Sequence, residues 1–182
     1  MTSTIRIVRV GSALDEDTMR SLLDDIRKIF EPLSCDLSKE VLPLPLGSYN
    51  VIRKQHLSTR ILELASTVIS SGDKSLLVTD VDLYVPNMNF VFGEALCPGD
   101  VAIVSIHRMA SDAHSGNNRS KVNGRLAKEA VHELGHTFDL RHCDNPKCVM
   151  HFSRSLADTD LKEKTFCERC RNCLLSCIAK QG

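Results

Sequence analysis

Apolar residues recur along this chain in two rhythms, and the change from one to the other predicts most of its elements. Residues 5–10 carry Ile5, Ile7, Val8 and Val10 in a short extended pattern and read as a strand. From Asp15 the period lengthens: Met19, Leu22, Leu23, Ile26 and Ile29/Phe30 return every three or four positions, which is one face of a helix. Asp15 is placed to cap it, and Pro32 stops it. Residues 35–42 form a second candidate strand. The Pro-rich stretch 42–47 that follows cannot continue a ladder and reads as an extended connection. Residues 57–69 are a second amphipathic helix that ends near Gly72. Residues 75–85 are rich in Leu and Val and predict one strand, 89–93 a short strand, and 101–106 a buried strand. Residues 111–118 read as a polar loop, and 121–140 as a third helix. Strands alternating with helices predict an α/β (α+β) layer with a mixed sheet in the first 140 residues, whereas the last forty turn Cys-rich and irregular.

Composition narrows the function. A chain of 182 residues favours one domain. Apolar content of 42% and charged content of 25% are globular proportions. Aromatics are only 4%, with no Trp, so the core must be mainly aliphatic. Lys plus Arg equals Asp plus Glu at 23 each, which argues against a nucleic-acid binder or an electrostatic membrane anchor. Apolar runs such as 101–106 fall well short of the roughly 18 residues a membrane helix needs. Charges inside the apolar N-terminal stretch do not fit a signal peptide, so a cytoplasmic, reducing location is expected. A monomer is the expected oligomeric state. Eight cysteines, six of them between 143 and 177, then point to metal binding rather than disulfides. Cys35 and Cys97 stand apart and read as buried small hydrophobes.

The third helix carries the strongest chemical pattern, His132-Glu133-Leu134-Gly135-His136. Two His four apart stack on one helical face and can grip one zinc ion, while Glu133 is offset to reach a water without ligating. Ala127, Val131, Leu134 and Phe138 give the same helix a core side. His142 lies six residues after His136, so it can join the same ion only if the chain turns near 139–141. Three neutral imidazoles leave a fourth position open, the mark of a catalytic rather than a structural zinc. Cys143 and Cys148, then Cys167 and Cys170, form two close pairs that suit a closed tetrahedral zinc site. A disulfide or a redox Cys-x-x-Cys is the competing reading. Cys173 and Cys177 continue one helical face from Cys170 and read as core-facing, although either could replace Cys167 or Cys170 as a ligand. Arg141, Lys147, Arg169 and Arg171 lie beside these thiols and could offset their charge.

Taken together, the three His, the four Cys and Met150 at these spacings resemble the archaemetzincins (archaelysins), a family of zinc metallopeptidase-like proteins in the metzincin clan. The resemblance covers residues 132–170. It implies a compact zincin fold, with residues 1–142 as N-terminal and 143–182 as C-terminal subdomain of a single catalytic domain 1–182. It implies two zinc ions per chain: a catalytic one on His132, His136 and His142, and a structural one on Cys143, Cys148, Cys167 and Cys170. Glu133 would be the general base and proton shuttle in hydrolysis of a peptide or protein substrate, and Met150 the Met of the turn beneath the site. Asp139 stands where such sites usually carry Gly, and Asp is among the few residues that tolerate positive φ. No Tyr follows Met150, so no oxyanion partner is evident beyond His151 as a candidate. A catalytically weak or inactive zinc-binding protein of the same fold, acting in peptide or protein binding, is the alternative. A substrate would pair with a sheet edge, for which residues 89–93 are the candidate.

Overall fold

The computed structural model describes residues 4–11, 14–69, 72–97, 99–110 and 118–181. The expected polar loop at 111–118 lies outside them except for Asn118. In chain order the elements are β1 (Thr4–Val10), α1 (Glu16–Ile29), β2 (Ser34–Leu42), β3 (Tyr49–Asn50), β4 (Gln55–Leu57), α2 (Ser58–Val68), β5 (Lys74–Thr79), β6 (Leu83–Tyr84), β7 (Gly93–Ala95), β8 (Val101–Ser105), α3 (Arg119–Thr137), α4 (Leu156–Leu161) and α5 (Glu168–Gln181). A five-stranded sheet runs in the order β2-β1-β5-β8-β7. Its first four strands are parallel, and β7 joins antiparallel at the edge. A smaller sheet, β3-β4-β6, stands beside it.

Two apolar layers clamp the large sheet. On one face α1 and α3 pack over Ile5, Ile7, Leu76, Val78, Ala102 and Val104. On the other α2 covers Val8, Val10, Leu77, Val101 and Ile103. The alternation of β1 is thus read out on both faces, and β5 and β8 are buried throughout, as central parallel strands are. Asp15 caps α1 as expected, accepting from the Thr18 N–H at 3.0 Å. The last forty residues are more regular than expected. They form α4 and α5, and Cys170 and Leu174 of α5 join the buried cluster that contains Ile5 and Met19.

The strand expected over 75–85 is two strands in two sheets. The Thr79 hydroxyl donates to the Val10 carbonyl at 2.9 Å, and the chain then leaves the large sheet. Asp82 accepts from both Arg108 nitrogens at 2.7 Å and from the Gln55 amide at 3.0 Å, which steers Leu83–Tyr84 against β4. The strand expected at 89–93 is displaced towards the C-terminus. Pairing with β8 begins at Gly93, while Val91 makes an isolated bridge to Leu83. This matters for function, because β7 is the edge that faces α3.

Candidate active site

Helix α3 places His132, Glu133 and His136 at its C-terminal end, with Ala127, Val131 and Leu134 fully buried on its core side. The helix stops after Thr137, whose carbonyl accepts from the buried Lys74 ammonium at 2.7 Å. A cation there also suits the negative end of the helix dipole. Asp139 then adopts φ of +61°, the left-handed turn its side chain was expected to allow. The turn returns the Leu140 carbonyl to within 2.8 Å of His136 Nδ1 and carries His142 back to the other two imidazoles.

One ring nitrogen from each of His132, His136 and His142 lies within 4.8 Å of the others. The ring orientations are set from behind. His132 Nδ1 donates to the Val149 carbonyl and His136 Nδ1 to the Leu140 carbonyl, both at 2.8 Å. Each Nε2 therefore bears a lone pair, and the two Nε2 atoms face each other at 3.2 Å. Two lone pairs at that separation repel each other unless a cation lies between them, so this donor set fits a metal ion. Burial pushes the pKa of His132 well below the ordinary imidazole value, and His136 and His142 are lowered for the same reason. All three are thus held in the neutral, ligating form.

Beneath the rings, fully buried Met150 packs against Gly135. A Cβ at Gly135 would lie 2.5 Å from Met150 Sδ and 3.1 Å from its Cε. At Gly124, on the same helix, it would meet nothing within 4 Å. The two glycines therefore predict opposite results. Gly124→Ala should raise stability by roughly 0.5–1 kcal/mol through helix propensity. Gly135→Ala should lower it, because overpacking typically costs about 1–3 kcal/mol and exceeds that gain. Melting temperatures of the two variants test this; a rise in both would mean that the Met150 contact is loose.

A second cluster follows at once in the chain. The sulfurs of Cys143, Cys148, Cys167 and Cys170 also lie within 4.8 Å of one another, and all four are free thiols. The Cys170 N–H is the chief influence drawing the Cys167 thiol down to about 7, whereas burial pushes the Cys148 and Cys170 thiols up, so one thiolate forms readily and the others need a cation among them. Arg169 donates to Cys143 Sγ at 3.3 Å. Arg171 instead binds the Ile29 and Glu31 carbonyls, and Lys147 binds that of Leu161. Of the bases considered for charge compensation, Arg169 is the one the structure places on a thiol. Cys173 is exposed and Cys177 half-buried, so the core-facing reading fails for Cys173. Cys97 is exposed as well, whereas Cys35 is buried and its thiol is pushed up to about 11 by that burial.

With two metal-suited clusters separated by a single peptide bond, the comparisons with known proteins are decisive. The sequence profile of peptidase family M54 matches residues 56–175. The chain belongs to that family. An archaemetzincin from Natronomonas pharaonis is 35% identical over 176 residues, covering 94% of this chain and 99% of its own. One from Methanocaldococcus jannaschii is 43% identical over 135 residues, covering 72% and 74%. The crystal structure of the Methanopyrus kandleri archaemetzincin superposes with a TM-score of 0.86 at 30% identity, covering 98% of this chain and 97% of that one. The resemblance seen in the motif thus extends over the whole fold. As an M54 peptidase of the archaemetzincin group, the protein is a zinc metallopeptidase.

In this M54 chain a cleft of about 660 Å³ opens in front of the imidazoles. One wall is the stretch leading into β7, and the other is Phe152, Ser153 and Arg154 after Met150. Glu133 projects against β7: a Cβ at Gly93 would fall 2.6 Å from Glu133 Cγ and from the Ile103 carbonyl. Glycine at that position is what lets the carboxylate sit at the strand edge. Burial, reinforced by neighbouring Glu129, raises the Glu133 pKa well above the ordinary carboxylate value, and Lys162 partly offsets this.

Residue-type reasoning missed four features of the site. Gly93 gave no signal, because close approach is a tertiary fact. The Glu94 carboxylate receives the Ser58 and Thr59 hydroxyls at the start of α2, which links β7 to that helix. Glu129 and Lys162 form a buried ion pair at 3.1 Å one helical turn from Glu133. For Glu129, its position four residues before Glu133 was an available clue.

Proposed function

We propose that His132, His136 and His142 hold one zinc ion, that Cys143, Cys148, Cys167 and Cys170 hold a second, and that Glu133 is the general base and proton shuttle of peptide-bond hydrolysis. The convergence of three lone-pair-bearing imidazoles beside a buried carboxylate at the foot of an open cleft carries this reading. A zinc ion bound to the imidazoles supplies a Lewis acid that makes water more acidic and polarises the scissile carbonyl. Glu133 takes the proton from the attacking water at a carboxylate oxygen, and its raised pKa lets it keep that proton and then deliver it to the leaving amine. The protein walls around Glu133 and Met150 exclude bulk water, which strengthens these transfers.

The substrate lies extended along β7 and adds main-chain hydrogen bonds to the sheet edge. Residues 1–182 act as one catalytic domain with the cleft between residues 1–142 and 143–182. Buried Leu174 and Cys170, packed in the same cluster as Ile5, support that unity. The thiolate site has the closed, four-sulfur form of structural zinc, and its free cysteines suit a reducing, cytoplasmic setting. Among the described residues no helix is long and apolar enough to cross a membrane.

Metal analysis tests the assignment. The purified protein should carry about two zinc ions per chain. Mild chelation should remove one of them, abolish hydrolysis of a diverse peptide library and leave the far-UV circular dichroism unchanged. A single ion held by thiols, with chelator-insensitive turnover, would overturn it.

A further inference from the structure

Glu129 is more than nine-tenths buried, yet it lines the cleft beside Glu133. Its partners are arranged unequally. The Ser153 hydroxyl at 3.1 Å, the Thr159 hydroxyl at 2.8 Å and the Lys162 ammonium at 3.1 Å all meet Oε1. Among the described residues none of these contacts goes to Oε2. Three other carboxylates that tie distant segments of this fold together use both oxygens. Asp82 is gripped at both by Arg108, Asp160 at both by Arg125, and Glu94 at both by Ser58 and Thr59. A structural anchor would be expected to do the same, because buried acceptors are almost always satisfied. Glu129 instead fixes one oxygen with three donors and leaves the other as an acceptor at the floor of the cleft.

We propose that Glu129 determines side-chain specificity: its Oε2 accepts a hydrogen bond from a substrate residue next to the scissile bond, selecting lysine or arginine over aliphatic residues of similar length. This rests on the peptidase reading above and deepens it. Three observations support the choice of donor. The floor offers an acceptor, so a side chain ending in N–H completes it and an aliphatic one leaves it unsatisfied. Lys162 meets Oε1 and is fully buried, so it anchors that oxygen without itself reaching the cleft as a competing donor. Exposed Arg154 is the one Lys or Arg side chain among the residues lining this cleft, so no protein cation at its floor competes for Oε2. Phe152, Phe90 and Phe92 supply apolar walls along which a lysine or arginine stem can lie.

The test uses zinc-loaded full-length protein and paired peptides that differ only in lysine against norleucine beside the cleaved bond. Both kcat/KM and direct binding, by fluorescence anisotropy, are measured. The wild type should favour lysine by about tenfold or more. Glu129→Gln keeps an oxygen for Ser153, Thr159 and Lys162 but turns an amide N–H₂ towards the substrate. It should abolish the lysine preference and raise relative use of a glutamate peptide, with zinc content unchanged. Glu129→Gln with Lys162→Met removes the unpaired ammonium and should behave the same way if the single variant folds poorly. Equal binding and turnover of the lysine and norleucine peptides by the wild type would overturn the proposal while leaving the peptidase reading intact. So would an unchanged preference in both variants. A lysine preference in binding without hydrolysis of any peptide would support Glu129 and remove the peptidase reading.

Discussion

Glu133→Ala should lose peptide hydrolysis by about three orders of magnitude or more while keeping its metal and its fold, in line with the usual contribution of a positioned general base. The expectation follows from what the side chain does and does not touch. The metal-suited nitrogens come from His132, His136 and His142, so removing Glu133 takes away no member of that set. A helix-interior alanine has the best intrinsic propensity, so α3 should persist. Turnover of a peptide library, zinc content and melting temperature measured on one preparation distinguish loss of the base from loss of the site. Wild-type turnover in the variant would remove Glu133 from the mechanism.

Cys148→Ser should act in the opposite way, on the fold first and on activity as a consequence. Cys148 is buried, and its sulfur accepts from the Cys167 N–H at 3.3 Å while standing in the four-thiol cluster. Structural zinc contributes roughly 10–16 kcal/mol to folding of small zinc-finger peptides. Losing even about 4 kcal/mol from a chain of this size should lower Tm by about 8–16 °C, at 2–4 °C per kcal/mol. Zinc content should fall to about one per chain. Thermal unfolding with parallel metal analysis reads both; an unchanged Tm would show that the thiols do not hold a folding metal.

The site was legible where chemistry is written in local spacing. His132, Glu133 and His136 share a helix, so their geometry follows from the 3.6-residue period, and His142 and the four thiols follow within forty residues. Asp139 was readable as a left-handed position because few other side chains tolerate it. What stayed hidden depends on contacts between distant segments. The break after Thr79 is made by Val10, Gln55 and Arg108, none of them near it in sequence. The edge strand begins at Gly93 rather than 89 because its register is set by β8. Lys162 looks like a surface base in a charged tract, and only the fold shows it buried against Glu129. Cys173 fits a helical face on paper, but the cluster closes without it.

The segment from His142 to Met150 belongs to both sites at once. Within it, the Cys143 N–H donates to the Met150 carbonyl at 2.9 Å, and the Val149 carbonyl orients His132 from the residue after Cys148. An extra residue anywhere in this stretch would pull a thiol off its cluster or a carbonyl off its imidazole. Here the peptide is a yoke of fixed span, and scaffold and chemistry must change together or not at all.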